Sequence, residues 1–278
     1  MRSPQAWAEL DPAARNRAYD NNAAVPDVAR WRDALQAASA AWRSVLPWSL
    51  DLAYGPAERN RWDLFSAVDP AASCLVFIHG GYWQRNRRED FACLAEGVMA
   101  HGWSAAVLGY TLAPEASVTE IVAETRAALD WLAANGAVHG IAGPLVISGW
   151  SAGAHLAALA LNHPAVTAGL VISGVYDLAP IRDTNLNDVL SLTEEEVAEL
   201  SPLRLPVVHK PLIIAYGERE LDRLVEDSQD FHALRAAAQA PGRLMPIAGA
   251  DHFSILKRLR RKDGALVQAL LKQGVCGQ

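Results

Sequence analysis

Cysteine, basic charge and long apolar runs are all scarce in this sequence of 278 residues. The three cysteines, Cys74, Cys93 and Cys276, are an odd number without C-x-x-C spacing, which argues against a disulfide framework. No stretch reaches the roughly 18 apolar residues that a membrane span needs, and residues 1–10 lack the apolar core of a secretory leader. We therefore expect a cytoplasmic protein without a membrane partner.

The charge balance argues against nucleic acid as a partner. The formal net charge is −6, whereas nucleic-acid binding calls for a basic face. The one basic cluster, residues 257–262, is expected on the exposed face of the last helix. The eight histidines form neither an H-x-x-x-H nor an H-E-x-x-H pair, so we expect no metal and no cofactor.

Short apolar runs alternate with helical patterns through most of the chain. Runs without polar alternation, which are typical of strands buried on both faces, lie at residues 74–78, 104–108, 145–148, 170–173 and 212–216. Helix-forming stretches accompany them at residues 90–100, 118–134, 152–162, 225–238 and 255–271. This rhythm predicts an α/β fold with a doubly wound, mostly parallel sheet and helices on both faces.

We predict a single domain over residues 1–278, with three features outside the regular rhythm. Residues 1–48 form an N-terminal helical segment that Pro47 ends. Residues 50–54 and 61–65 flank the Gly-Pro turn at 55–56 and predict a β-hairpin. Residues 180–206, with an acidic run at 194–196, are expected to form a small cap over the carboxyl edge of the sheet.

A G-x-S-x-G pattern, GWSAG at residues 149–153, lies between an apolar run and an alanine-rich helix. In this strand–turn–helix context the pattern is the nucleophile elbow of the α/β-hydrolase fold. The glycines are needed because a Cβ at either position would crowd the adjacent chain of the tight turn. The helix N-terminus beside the serine favours developing negative charge. We therefore predict Ser151 as a catalytic nucleophile.

The sequence HGGYW at residues 79–83 directly follows the run 74–78. Esterases and lipases of this fold place an oxyanion loop of this type after the corresponding strand. We assign the oxyanion hole to the backbone N–H groups of Gly81 and Tyr82, together with that of Ala152. His79 is expected to support the loop by hydrogen bonds rather than to take a proton from the substrate.

The order of an α/β-hydrolase triad along the chain is serine, acid, histidine. His252 lies after the apolar run 244–247 and before the final helix, where the base is expected. The acid should follow the run 212–216, where Glu218, Glu220 and Asp222 all lie, and spacing alone does not separate these three carboxylates. Its task is to hold the imidazole in the right tautomer.

Taken together, these stretches resemble the kynurenine formamidase (arylformamidase) branch of the α/β-hydrolases. The resemblance extends over about residues 50–272 and includes HGGYWQ at 79–84, GWSAGAHL at 149–156, SGVYDL at 173–178 and DHF at 251–253. It implies cleavage of N-formylkynurenine to kynurenine and formate, a step of tryptophan breakdown, without a metal. It also places the triad acid at Glu220, where the family usually has aspartate.

The segment YDNN at residues 19–22 resembles bacterial relatives of that family, some of which act on other aryl amides and esters. The main alternative function is therefore a short-chain carboxylesterase. A non-catalytic receptor on the same fold and a metalloenzyme are further alternatives. The expected partner is a small aryl amide or ester, and association into a homodimer stays open. Candidates for an aromatic substrate pocket are Trp83, Trp150 and Tyr176.

Overall fold

The computed structural model describes residues 7–273, so Cys276 lies outside the described residues. Within this range, eight strands form one sheet. The strands are β1 (Ser49–Ala53), β2 (Arg61–Phe65), β3 (Cys74–Ile78), β4 (Ser104–Leu108), β5 (Leu145–Trp150), β6 (Val166–Ile172), β7 (Leu212–Gly217) and β8 (Gly242–Ile247).

The helices fall in the intervals between the strands and at both ends of the described chain. They are α1 (Pro12–Arg17), α2 (Asn21–Ala24), α3 (Val28–Arg43), α4 (Ala95–Met99), α5 (Val118–Asn135), α6 (Ala152–Ala160), α7 (Ala179–Arg182), α8 (Asn187–Leu190), α9 (Glu194–Leu200), α10 (Asp222–Ala237), α11 (Lys257–Arg260) and α12 (Ala265–Lys272). Short 3₁₀ turns add Arg88–Leu94, Gly136–His139, Pro202–Arg204 and Ser254–Leu256. No helix in residues 7–273 combines the length and apolarity that crossing a bilayer demands.

The sheet has the strand order β1-β2-β4-β3-β5-β6-β7-β8. β1 and β2 form the antiparallel hairpin, β2 pairs antiparallel with β4, and every pairing from β4 through β8 is parallel. The strands β3, β4 and β5 are buried along their whole length, as their unbroken apolar runs predict. The predicted doubly wound, mostly parallel sheet is confirmed.

The sheet separates two hydrophobic cores. On one face, α5 and α6 contribute residues such as Ile121 and Leu156. On the other face, α4 and α12 contribute residues such as Val98 and Leu266. Helices therefore cover both faces, which leaves the carboxyl edge of the parallel strands as the place for exposed loops and a binding site.

The predicted final helix over residues 255–271 is wrong in its continuity. The chain forms α11, leaves the helical conformation at Arg261 (φ −79°, ψ 138°) and starts again at α12. The backbone packs so closely at Gly264 that a Cβ there would lie 2.1 Å from the carbonyl oxygen of Arg258. Part of the basic cluster is neutralised, since Arg260 pairs with Glu96 at 3.0 Å.

The N-terminal segment is joined to the sheet through a buried ion cluster. The carboxylate of Asp63 on β2 is fully buried and lies 2.9 Å from Arg43 Nε of α3 and 3.1 Å from Arg88 Nε. The backbone N–H of Asp51 donates to the same carboxylate at 3.1 Å. α3 packs against the 3₁₀ turn that carries Arg88, so this cluster ties α3, the hairpin and that turn together.

We expect Asp63→Ala to lower the free energy of unfolding by about 3 kcal/mol, because it leaves two guanidinium groups without their buried counter-charge. Urea denaturation followed by circular dichroism measures this change. The exposed Asp188→Ala is the matched control and should stay within about 0.5 kcal/mol of the wild type. Equal effects of the two substitutions would contradict the structural role of the cluster.

Candidate active site

Ser151 lies on a strained turn between β5 and α6. Its backbone has φ 57° and ψ −122°, a conformation that non-glycine residues rarely adopt. Its N–H donates to the carbonyl of Ile172 on the neighbouring strand at 2.9 Å, which fixes the turn to the sheet. The tight packing is evident at Gly153, where a Cβ would lie 2.1 Å from the carbonyl oxygen of Ile78. The elbow context that the sequence predicts is therefore present.

The loop after β3 lies directly against this turn. A Cβ on Gly80 would come within 2.7 Å of Ser151 Cβ. The next three residues, Gly81, Tyr82 and Trp83, all have positive φ, at 122°, 50° and 57°. The loop thus turns sharply beside the serine, and the N–H of Ala152, at the start of α6, lies outside the helical hydrogen-bond ladder.

His79 supports this loop from below. Its Nδ1 lies 2.9 Å from the carbonyl oxygen of Gly80, and its ring stacks on Tyr110 with centroids 4.4 Å apart. The Tyr110 hydroxyl donates to the carbonyl of His79 at 2.9 Å. Burial lowers the pKa of His79 to about 4, so the imidazole is neutral at physiological pH.

The structure separates the three carboxylates that the sequence leaves open. Glu218 and Asp222 are exposed, whereas Glu220 is buried. One oxygen of Glu220 lies 2.9 Å from His252 Nδ1. Its other oxygen accepts hydrogen bonds from the Ser173 hydroxyl at 2.5 Å and from the Gly217 N–H at 2.6 Å.

Ser173 is a site residue that the sequence reasoning missed, although it follows β6 at the carboxyl edge of the sheet. It has a positive φ of 54°. A serine directly after a buried strand was the available signal, but serine is too common in loops for this position to stand out.

The loop with His252 is fixed by Trp150, the residue before the serine. The indole N–H of Trp150 donates to the carbonyl of His252 at 2.8 Å, and the two rings lie 4.9 Å apart. Ser151 and His252 both line one cavity of about 340 Å³. Two residues 101 positions apart in sequence are therefore brought to one concave surface, as an acyl-transfer site requires.

The aromatic wall of the cavity differs from the predicted one. Trp150 does line the cavity, with Trp31, Phe91 and Phe253. Trp83 and Tyr176 do not, which corrects that expectation.

Both excluded side chains belong to the core for identifiable reasons. Trp83 is completely buried, with its ring edge-on to His155 at 5.0 Å. Tyr176 is also completely buried and stacks on Phe231 at 4.4 Å. Neither ring has a face left over for a ligand.

Another wall of the cavity comes from the N-terminal segment. Residues 16–36 contribute Tyr19, Asn21 and Trp31 to it, together with a polar rim that includes Arg17 and Arg32. The segment 180–206 adds Asn185 and Leu186. The sequence does not predict this wall, because a helical pattern predicts a helix but not the distant part of the chain against which that helix packs.

His155, one turn into α6, is packed rather than catalytic. It is completely buried, and its Nε2 lies 2.6 Å from the carbonyl oxygen of Leu200. Desolvation lowers the pKa of His155 to about 4, below the ordinary value of 6.5. As the pH falls, the histidine is protonated in the unfolded chain at a higher pH than in the folded chain. Its contribution to the free energy of unfolding is therefore fully present above pH 6.5 and is lost as the pH falls toward 4.

We expect the wild type to lose on the order of 2 kcal/mol more of its free energy of unfolding than His155→Gln when the pH drops from 7 to 5. Glutamine keeps a side-chain N–H for the carbonyl of Leu200 but takes up no proton. Urea denaturation of both proteins at the two pH values measures the difference. Parallel losses in the two proteins would refute the neutral buried state of His155.

The chain is similar to several known hydrolases. The BD-FAE family model matches residues 65–168. Kynurenine formamidase of Danio rerio is 28% identical over 255 residues, which are 86% of this chain and 86% of the relative. The Salmo salar kynurenine formamidase is also 28% identical, over 80% of this chain and 81% of its own.

A solved structure from Silicibacter sp. TM1040, a thioesterase candidate, superimposes with a TM-score of 0.82 at 26% identity and covers 92% of this chain and 98% of its own. The thermophilic esterase Est2 of Thermogutta terrifontis superimposes at 0.67 with 22% identity, over 84% of this chain and 96% of its own. The fold, the strand order and these likenesses define the chain as an α/β-hydrolase. Within that class it is similar to the kynurenine formamidases.

Proposed function

We propose that the chain hydrolyses aryl formamides by a serine mechanism, with N-formylkynurenine as the substrate and kynurenine and formate as products. The observation that carries the proposal is the buried pair Glu220–His252, joined at 2.9 Å beside the cavity that Ser151 also lines. The similarity to kynurenine formamidases over 86% of the chain supports the formamide as substrate.

In the proposed first step the Ser151 hydroxyl attacks the formyl carbon while His252 Nε2 takes its proton. Glu220 keeps the proton on Nδ1 and stabilises the imidazolium that forms. The negative charge that develops on the formyl oxygen is bound by the N–H groups of Gly81, Tyr82 and Ala152. His252 then protonates the departing arylamine nitrogen, and the C–N bond breaks.

In the second step water attacks the formyl ester of Ser151, again with His252 as base, and formate leaves. This scheme needs no metal. Within residues 7–273, His, Cys, Asp and Glu side chains form no group of three that suits a metal ion. The aromatic wall of Trp31, Phe91 and Phe253 offers apolar surface to an arylamine leaving group.

We expect Ser151→Ala to lower kcat on N-formylkynurenine by at least about 10⁴-fold, because the nucleophile is lost. The measurement compares wild type and variant on a panel of formamides, other amides and aryl acetates, with and without EDTA. Labelling by a fluorophosphonate should disappear in the variant and persist in the wild type. Activity that survives in Ser151→Ala, or that EDTA abolishes in the wild type, would contradict the scheme.

We expect Glu220→Gln to lower kcat by about 10³–10⁴-fold, because an amide at this position no longer selects the Nδ1–H tautomer of His252. Glu220→Asp should retain intermediate activity, since it keeps the charge but shortens the reach by one methylene. The exposed Glu218→Gln is the control and should match the wild type. A large loss in the control with none in Glu220→Gln would move the acid to Glu218.

A short-chain carboxylesterase is the second candidate, because esterases are among the relatives. Isoprenylcysteine alpha-carbonyl methylesterase of Arabidopsis thaliana is 26% identical over 73% of this chain and 56% of its own. The panel separates the two functions by kcat/KM. A value on aryl acetates that equals or exceeds the value on N-formylkynurenine would favour the esterase.

A further inference from the structure

Three buried groups from two distant parts of the chain, residues 19–21 and residue 82, meet beside the oxyanion loop, and we call them the Tyr82 clasp. The side-chain amide nitrogen of Asn21 donates to the Tyr82 hydroxyl at 2.9 Å. The Tyr82 hydroxyl donates to the backbone carbonyl of Tyr19 at 2.8 Å. Tyr19, Asn21 and Tyr82 are 2%, 5% and 9% exposed, so bulk water does not compete for these bonds.

The direction of both bonds follows from hydrogen-bond chemistry. The hydroxyl of Tyr82 has one hydrogen to donate. The Tyr19 carbonyl can only accept, so the Tyr82 hydroxyl donates its hydrogen to that carbonyl. Its other partner must then be a donor, which fixes the nitrogen of Asn21 toward the phenol. The amide oxygen of Asn21 is buried and has no hydrogen-bond partner within residues 7–273.

That unpaired oxygen makes asparagine a costly choice for stability alone. A buried acceptor without a partner costs roughly 1–3 kcal/mol, and an apolar side chain of the same shape removes this cost. Leucine at position 21 would therefore be about neutral for folding. The hydrogen bond that Asn21 donates to Tyr82 is therefore better explained by the positioning of Tyr82 than by stability.

The clasp acts at a strained point of the backbone. Tyr82 has a positive φ of 50°, and such a conformation persists only where the surroundings hold it. Its side chain is held by the clasp, while its own N–H is one of the proposed oxyanion donors. Donors of this kind must lie within about 0.5 Å of their productive position.

The partner groups of the clasp are themselves anchored. Tyr19 packs edge-on against Trp7 at 6.0 Å, and its hydroxyl accepts from Arg223 Nε at 3.4 Å. Asp20 caps α2 by accepting from the Ala23 N–H at 3.0 Å, which fixes the backbone on either side of Asn21. The clasp therefore joins the N-terminal segment to the oxyanion loop through hydrogen bonds between anchored groups.

We propose that Asn21 and Tyr19 are positioning residues for acyl transfer: through the phenol of Tyr82 they hold the oxyanion donors in place without touching the substrate carbonyl. This inference rests on the proposed serine mechanism. It gives the YDNN segment at residues 19–22 a role in the rate of the chemical step, in addition to its place in the cavity wall.

The test is Asn21→Leu, together with Tyr82→Phe, in the full chain. We expect each to lower kcat per fluorophosphonate-titrated active site by about tenfold, since the donors are displaced but not removed. The affinity for phenylboronic acid, whose serine adduct is tetrahedral, should fall in parallel with kcat. The melting temperature of Asn21→Leu should stay close to that of the wild type, because leucine removes the unpaired oxygen and also loses the bond to Tyr82.

Ala24→Leu introduces the same side chain at an exposed position of α2 and should retain the kcat of the wild type. The double variant Asn21→Leu/Tyr82→Phe should be no slower than Tyr82→Phe alone, because both substitutions break the same connection. A titrated kcat within twofold of the wild type in both single variants would overturn the inference. So would strictly additive losses, or a loss of activity that only follows a loss of titratable sites. A wild type that neither turns over formamides nor labels would instead remove the proposed function, and the inference with it.

Discussion

The parallel pairing of β3 with β5 is the constraint on which the site depends. Ile78 lies opposite Gly149 in the register of these strands, so the chain leaves the sheet at neighbouring points on the same edge. The loop that turns beside the serine and the turn that carries the serine are then forced into contact. A register slip of one residue would exchange the faces of the side chains and separate the two backbones. The buried, unbroken apolar runs of both strands make such a slip costly.

The carboxylate of Glu220 shows how a buried charge is made tolerable in this fold. Removing it from water is expensive unless its oxygens are fully hydrogen-bonded. Here a hydroxyl, a backbone N–H and an imidazole N–H together satisfy it. The backbone donor, Gly217, ends β7 only three residues earlier, so the longer side chain of glutamate folds back over its own turn. The extra methylene relative to aspartate is absorbed in this way, and the carboxylate still reaches His252.

The parts of the molecule that the sequence predicts are those set by local chemistry. The sheet follows from apolar runs, and Ser151 and His252 are identified by their neighbours along the chain. The choice of Glu220 over Glu218 and Asp222 needed the family resemblance, because three carboxylates within five residues have the same local signal. Burial separates them in the structure, and burial is a property of the folded chain.

The errors have a physical pattern as well. Trp83 lies within the stretch HGGYW and Tyr176 within SGVYDL, but the direction of a side chain depends on backbone angles that no sequence motif shows. Positive φ at Trp83 turns its ring into the core. The predicted helix over residues 255–271 passes through Gly264, because the helix-forming residues around it dominate the local pattern, whereas close packing of the backbone at Gly264 is visible only in the folded chain. Conversely, Trp31 was overlooked because its partners, Trp150 and Phe253, lie more than 100 residues away.

The cavity is divided between two parts of the chain, and this division separates the residues proposed for the reaction from those that shape the substrate range. The reacting groups stand on loops of the sheet, whereas much of the opposite wall comes from residues 16–36, ahead of the first strand. Substitutions in that wall would alter the shape and charge that a bound substrate meets and leave the proposed nucleophile, base and acid untouched. Most positions of this wall are thus a natural place to change substrate range, and Tyr19 and Asn21 are the exceptions where such a change also reaches the chemistry.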